Sequence, residues 1–177
     1  MKYLRSLFII LQIVLFNALF AQEMEQKVIE LPEPEIEEGM PLMEALSQRS
    51  SMREFIEEPI SLQHISNMLW AANGINRPEE KKRTAPSAIN AQDIDVYVFF
   101  KSAVYRYDAH KHILNRVNTG DYRKHVASRQ ENVAEAPVIF MLVSDFSRFD
   151  RGDRRQKFTW ANMDAGFVAQ NILLYSA

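Results

Sequence analysis

Residues 83–92 read RTAPSAINAQ and lie between a charged loop and a dense apolar run at 96–100. Pro86 fixes its own φ and pushes the residue before it towards an extended conformation. Ser87 then predicts the start of a short helix, because its hydroxyl can accept hydrogen bonds from amides two or three residues on. A helix start presents free N–H donors that suit an anionic or acceptor-rich ligand, and Asn90 adds the paired donor and acceptor that a heterocycle edge requires. The alternative is a capped surface turn before a strand.

The segments around this stretch predict a mixture of helices and strands. Residues 94–101 are apolar on both faces, which indicates an internal strand, and 103–108 alternate as a second strand of the same hairpin. The apolar run at 138–143 predicts a central strand. Capping residues and helical periodicity predict helices at 41–48, 61–74, 121–134 and 156–177. The last helix is apolar nearly all round, which indicates burial in a core or at a subunit interface.

Length and composition allow one folded domain, which we place at 40–177, after an acidic, proline-containing linker at 22–39. The chain has 177 residues, of which 47% are hydrophobic and 25% charged, so a packed core is feasible. Its net charge of −2 gives no sign of the basic face that nucleic-acid binding needs. It contains no cysteine, which excludes disulfides, thiolate metal sites and cysteine nucleophiles.

The N-terminus has the features of an export signal. A short basic region at 1–5 precedes an almost wholly apolar stretch at 7–20, and the small residue Ala21 suits a cleavage position. The apolar stretch is shorter than the roughly 20 residues that span a bilayer, and a retained anchor is the alternative. We therefore predict a signal peptide at 1–21 and an exported protein, periplasmic or envelope-associated.

A second polar cluster follows the first predicted helix. Arg49, Ser51 and Arg53 point the same way if the segment is extended. A guanidinium group binds phosphate through two parallel hydrogen bonds, and a serine hydroxyl adds a further donor. The cluster can therefore clasp a phosphate group. The alternative is a solvated basic loop beside neighbouring glutamates.

Other types of site fit the sequence poorly. His110 and His112 have a spacing that can bind zinc, with His125 beyond them, but no second pair of ligands stands nearby. We therefore predict a solvated turn there and no metal. A serine hydrolase would need a Gly-x-Ser-x-Gly elbow and a dinucleotide fold a glycine-rich fingerprint, and the 5 glycines form neither. Phosphate binding would have to use arginines and a helix start.

The two polar clusters occur in an order and context that resemble the nitroreductase family of flavin enzymes. The segments that carry the resemblance are RSSMREF at 49–55, IS at 60–61, LWAANGINR at 69–77, RTAPSAINAQ at 83–92, VYRYD at 104–108, APVI at 136–139 and DAGFVAQN at 164–171. The resemblance runs from about Pro41 to the last residue, and the ordered set is more specific than any one motif. It favours a ligand site over a solvated loop at both clusters.

The resemblance implies an α+β fold with a central, mostly antiparallel sheet flanked by helices. It also implies a homodimer that binds FMN at the subunit interface. The residues it assigns to the cofactor are Arg49, Ser50, Ser51, Arg53, Pro86, Ser87 and Asn90.

Each assigned residue has an implied role. Arg49 and Ser51 would hold the phosphate and the ribityl chain. Arg53 would lie near the pyrimidine edge of the isoalloxazine, where a cation stabilises the negative charge of reduced flavin. Pro86 and Ser87 would line the ring, and Asn90 would bond its polar atoms or those of the ribityl chain.

The family chemistry implies a ping-pong oxidoreductase. NAD(P)H would pass a hydride to flavin N5, and a small organic acceptor such as a nitro compound or a quinone would then take the electrons in the same place. The cofactor carries this chemistry, so no side chain is predicted to be catalytic. The alternative is a non-catalytic flavin-binding or scaffold protein that keeps the fold. Relatives usually continue past the core helix, which implies a domain truncated at its C-terminus near Ala177.

Overall fold

A five-stranded antiparallel sheet is the centre of the fold, which comes from a computed structural model that describes residues 27–37, 39–56 and 58–177. Its strands are β1 (Val28–Glu30), β4 (Ile94–Phe99), β5 (Ala103–Asp108), β6 (Ile113–Thr119) and β7 (Ile139–Ser144), in the order β1-β6-β5-β4-β7. Between β1 and β4, the short strands β2 (Ile75–Arg77) and β3 (Lys82–Arg83) pair with each other in a separate two-stranded sheet.

Helices cover both faces of this sheet. They are α1 (Leu42–Gln48), α2 (Leu62–Asn73), α3 (Arg123–Ala127) and α4 (Arg154–Tyr175). Successive strand residues point to opposite faces, so β4 contributes side chains to two hydrophobic clusters, one on each face of the sheet. Val96 and Val98 pack with Leu69 of α2 and Val168 of α4, while Phe99 packs on the other face against the α3 region.

Local signals define both ends of α2 and the start of α4. The Ser61 hydroxyl accepts a hydrogen bond from the His64 amide at the start of α2, and Gly74 follows its last residue, as predicted. Asp153 and Gln156 form a reciprocal capping box at the start of α4. These pairs satisfy backbone amides that a helix start otherwise leaves without partners.

The folded part begins earlier than the boundary predicted near Met40. Ile29 of β1 is 1% exposed and belongs to the main core. Its neighbours Val28 and Glu30 are exposed, as expected for an edge strand with one face on the core. The following residues 31–35, the N-terminal arm, are tied to α2. Ser66 donates to the Pro32 carbonyl at 2.5 Å and Asn67 accepts from the Glu35 amide at 2.9 Å.

Three further predictions differ from the structure. The helix predicted at 121–134 is interrupted: α3 ends at Ala127, Ser128 has a φ of 54°, and a 3-10 turn occupies Glu131–Glu135. The run at 138–143 forms β7, which lies at one end of the described sheet rather than at its centre. The loop predicted between α2 and residue 83 contains the β2–β3 pair.

The predicted signal peptide at 1–21 lies outside the described residues. Within the described ranges, no helix combines the length and the apolar character needed to cross a membrane.

The buried side of β1 gives a first prediction. Ile29→Ala should lower the free energy of unfolding by about 2–5 kcal/mol, because it removes methyl groups from the core. Val28→Ala is the matched control: Val28 is 40% exposed on the same strand and should cost about 1 kcal/mol or less. Denaturant titration followed by circular dichroism measures both. Equal losses would show that β1 is not packed on the core.

Candidate functional site

The loop at 86–92 has an unusual backbone. Ala88–Asn90 form one 3-10 turn, and φ is 51° at Ile89, 57° at Asn90 and 48° at Gln92. Left-handed conformations are uncommon outside glycine and are least favourable for β-branched residues such as isoleucine. The surrounding contacts must therefore hold this loop in place.

A short helical turn begins after Ser87, as predicted, but the predicted side-chain cap does not form. The Ser87 hydroxyl accepts a hydrogen bond from the Gln92 amide at 2.9 Å and makes no cap bond to the turn. The Ala88 amide donates to both carboxyl oxygens of Asp164, at 3.1 and 2.9 Å. An acidic side chain of α4 therefore already uses the first amide of the turn, and binding of a ligand by the remaining polar groups of the turn stays a prediction.

Asp164 belongs to a buried polar group beneath the loop. It is 2% exposed, and Asp93, just before β4, is fully buried. The Ser144 hydroxyl donates to Asp93 Oδ2, and the Asp93 carbonyl accepts from the Asp145 amide at 2.9 Å. Burial raises the pKa of Asp164 to about 6, with a further contribution from the Asp93 carboxyl, although the Ala88 amide favours the ionised form.

The other predicted cluster lies in an irregular segment after α1. Arg49 is half-buried at the end of the helix, while Ser50, Ser51 and Arg53 are exposed. Their side chains make no hydrogen bond or ion pair with any other described residue, and the Arg53 carbonyl accepts from Asn132 Nδ2 at 3.3 Å. The donors predicted to bind phosphate are therefore not used within the described part of the chain.

Helix α4 contacts the loop at 86–92 directly, through the 3-10 turn Ala88–Asn90. It also contacts α1, whose last residue, Gln48, comes just before the cluster at 49–53. The two predicted clusters are separated along the chain by α2 and the β2–β3 pair. Binding of a single ligand by both clusters stays a prediction.

A polar cavity of about 490 Å³ adjoins the loop, and sequence reasoning missed most of its lining. Its charged and polar residues are Arg83, Asn90, Gln92, Asp95, Arg106, Tyr107, Asp108, His110 and Arg148. Arg148 binds Asp95 through two contacts of 2.8 Å, whereas Arg83 donates only to neutral acceptors, Gln92 Oε1 and the Asn73 carbonyl. Burial lowers the pKa of Arg83.

Of the two histidines in the β5–β6 turn, His112 has hydrogen-bond partners that give it a structural role. His112 Nδ1 lies 2.8 Å from the Tyr107 hydroxyl and its Nε2 lies 2.6 Å from the Ser66 hydroxyl. This chain of hydrogen bonds joins the hairpin to α2 and to the N-terminal arm. Across 27–37, 39–56 and 58–177, no three His, Asp or Glu residues are grouped so as to hold a metal ion.

Comparison with known proteins assigns the chain to a family. The family model described as the nitroreductase family matches residues 46–177. A curated protein of Methanocaldococcus jannaschii, named a "putative nitroreductase", is 31% identical over an alignment of 157 residues, and the match covers 82% of this chain and 77% of that protein.

Solved structures agree with this assignment and with the predicted α+β fold. A crystal structure of a "putative nitroreductase" from Ralstonia eutropha JMP134 has 38% identity and a TM-score of 0.78, over 85% of this chain and 71% of that one. A "putative nitroreductase" from Desulfovibrio desulfuricans, solved in complex with FMN, shares the fold at 22% identity and a TM-score of 0.52, over 78% of this chain and 63% of that one. This chain belongs to the nitroreductase family.

Proposed function

We propose that this chain is an FMN-dependent oxidoreductase that takes a hydride from NAD(P)H and passes it to a small organic acceptor, such as a nitro compound or a quinone. Membership of the nitroreductase family supports oxidoreductase chemistry. The FMN found in a structural neighbour supports the choice of cofactor. When bound, FMN supplies the hydride chemistry, and the protein binds and orients it and sets the charge around it.

The donor set after α1 fits the phosphate end of FMN. Arg49, Ser50 and Ser51 offer a guanidinium and two hydroxyls that no described residue engages. Arginine binds phosphate through two parallel hydrogen bonds, which fixes both position and orientation. In the proposal Arg53 adds a second cation near the ring, where negative charge develops on reduction.

The loop at 86–92 fits the ring end. Its left-handed turn leaves Asn90 exposed, and the one hydrogen bond shown for the Asn90 side chain is a long one, 3.4 Å from Gln92 Nε2 to Asn90 Oδ1. The Asn90 amide can therefore donate and accept at a heterocycle edge. In this proposal, Pro86 and Ser87 lie before the turn and line the ring.

One observation carries the proposal: the loop expected to hold the ring is bonded to α4 through the Ala88 amide, and α1, which leads into the segment expected to hold the phosphate, contacts α4 as well. A phosphorylated tricycle needs a cationic cluster at one end and a mixed donor and acceptor edge at the other. In the proposal, helix α4 keeps the two binding segments at a fixed separation that suits one ligand. No described side chain is required as an acid or base in this account, because the cofactor carries the redox step.

The exposed face of α4 supports a homodimer. It carries large apolar side chains that are between 42% and 63% exposed: Phe158, Met163, Phe167 and Leu173. Gly166 lies among them, and a side chain added there would meet nothing within 4 Å. A helix with this much apolar surface on its open side is typical of an interface. We propose that a second copy of the chain covers it.

The same proposal places the protein outside the cytoplasm. The basic and apolar pattern at 1–21 supports export, with a retained anchor as the alternative to cleavage. If the protein is exported, its physiological electron donor depends on which reductant that compartment supplies.

The purified protein should be yellow, with the absorbance bands of bound flavin. Anaerobic NAD(P)H should bleach these bands, and an added nitro compound or quinone should restore them. A yellow protein that no nicotinamide bleaches would support the alternative, a non-catalytic flavin-binding or scaffold protein. A colourless, folded protein that takes up no added FMN would contradict both.

Arg49→Ala should weaken FMN binding roughly 10- to 100-fold, because one charge-assisted contact to phosphate is lost. The FMN affinity of Arg49→Lys should lie between those of the wild type and Arg49→Ala, since lysine keeps the charge and loses the bidentate geometry. Arg151→Ala, at an exposed arginine outside the predicted set, is the control and should bind normally. Quenching of flavin fluorescence measures all three affinities. Unchanged affinity in Arg49→Ala would remove Arg49 from the phosphate role.

The wild-type protein should sediment as a dimer, and Phe167→Glu should sediment as a monomer, because it buries a charge at the proposed interface. Val117→Glu changes a comparably exposed apolar residue on β6 and should leave the dimer intact. Analytical ultracentrifugation gives the masses. A monomeric wild-type protein would contradict the proposed interface.

A further inference from the structure

We propose that Asp164 and Asp93 share one proton, and that this acid pair is the positioning device that holds the 86–92 loop on α4 in the form that binds the ligand. The part that concerns the ligand rests on the proposed flavin site. The shared proton itself is a property of the folded chain and can be tested without any ligand.

The first support is an unfilled hydrogen bond. Asp93 Oδ1 is the one buried side-chain oxygen or nitrogen of the described residues that has no hydrogen-bond partner. Asp93 Oδ2 accepts from the Ser144 hydroxyl, so half of the carboxyl group is satisfied and half is not. An unsatisfied buried acceptor is costly and rare in native proteins, and it points to a donor that has not been identified.

The second support is the position of Asp164. The Asp93 carboxyl raises the pKa of Asp164 both as a hydrogen-bond partner and as a like charge, and both side chains are buried. Two ionised carboxylates can only accept, so neither could satisfy the other. One proton on Asp164 changes this: Asp164 then donates to Asp93 Oδ1 and still accepts from the Ala88 amide with its other oxygen. Every polar atom of the pair is then used.

The electrostatic surroundings favour one shared proton over two charges. Asp164 is 2% exposed and Asp93 is fully buried, so two negative charges would repel in a medium of low dielectric constant. Arg148, in the turn before α4, acts on Asp93, but Asp95 binds its guanidinium at two contacts of 2.8 Å. The Ala88 amide and the Ser144 hydroxyl are neutral donors.

The pair lies where three segments of the chain meet. Asp164 is on α4, Asp93 is at the entrance to β4, and Ala88 is the first residue of the left-handed turn. When the pair holds one proton, Asp164 can bind the Ala88 amide without electrostatic repulsion from Asp93. When the proton leaves, the repulsion between the carboxylates is relieved only if the turn or the helix shifts.

The direction of the pH effect follows. The pKa of Asp164 is raised from 3.8 to about 6, so the folded state binds this proton more tightly than the unfolded state does. The stability contributed by the pair is complete below pH 3.8 and is lost as the pH rises through about 6. The corresponding change in the unfolding equilibrium constant is of order 100-fold.

The test compares wild-type protein with Asp164→Asn in the full chain. Asparagine keeps an acceptor for Ala88 and supplies a permanent N–H donor to Asp93 Oδ1. Between pH 4 and pH 8 the wild-type unfolding constant should rise by a factor of order 100 relative to that of Asp164→Asn. Asp150→Asn, at an exposed aspartate, is the control and should follow the wild type. Parallel pH curves for the wild type and Asp164→Asn would overturn the proposal.

A second variant keeps the proposal falsifiable if Asp164→Asn does not fold. Asp93→Asn supplies the donor from the other side and should flatten the pH curve in the same way. Infrared spectroscopy gives an independent readout: wild-type protein at pH 5 should show the carbonyl band of a buried protonated carboxylic acid, and Asp93→Asn should not. The absence of that band from the wild type would also overturn the shared proton.

Flavin binding separates this proposal from the function it rests on. FMN affinity of the wild type should fall as the pH rises from 5 to 8, and that of Asp164→Asn should stay level. If neither protein binds FMN at any pH, the proposed function fails while the unfolding and infrared results still decide the shared proton. If both proteins bind FMN with the same pH dependence, the acid pair does not position the loop for FMN, although FMN is still the cofactor.

Discussion

The bond from the Ala88 amide to the Asp164 carboxyl is the contact on which the candidate site depends. It joins a loop to a helix that lies 76 residues further along the chain. A left-handed conformation costs of order 1–3 kcal/mol at a residue such as Ile89, so the loop keeps its shape only where other contacts impose it. Gln92 adds to the restraint, because its amide binds the Ser87 hydroxyl and its side chain binds Arg83 and the Lys81 carbonyl.

The sheet and α2 determine where that contact can form. Val168 of α4 packs against the main core with Leu69 of α2, which fixes how α4 lies on the sheet. Asn171 of α4 donates to the Ala71 carbonyl at 2.9 Å, so the two helices are also joined by a polar contact. Once α4 is fixed in this way, Asp164 lies beneath the loop, and α1 meets the same helix. Core packing therefore positions a site that is built mostly from loops.

Local signals were enough to predict the elements whose ends are capped by near neighbours. Ser61 caps α2 through a residue three positions away, and the β4–β5 hairpin joins adjacent segments. Ser87 has the same capping potential, but its hydroxyl accepts from the Gln92 amide, and the Ala88 amide binds Asp164, a partner that no local rule identifies so far along the chain. β6 was not predicted, because Asn115, Arg116 and Asn118 interrupt its apolar pattern.

The ordered resemblance carried more of the prediction than any single motif. It led to the family and the fold, which the comparisons then supported. It could not reveal the buried pair of Asp93 and Asp164, because a carboxyl that lacks a donor becomes evident only when its neighbours in space are known. Nor could the sequence show that Ile29 belongs to the core, since its short acidic context indicates a linker.

The proposed site requires the segments at 49–53 and 87–92 to bind one ligand together. A titration of isotopically labelled protein with FMN, followed by amide NMR, shows whether they do. Amide signals from both segments should shift together and follow a single dissociation constant. Shifts confined to one segment, or two different dissociation constants, would contradict the proposed site.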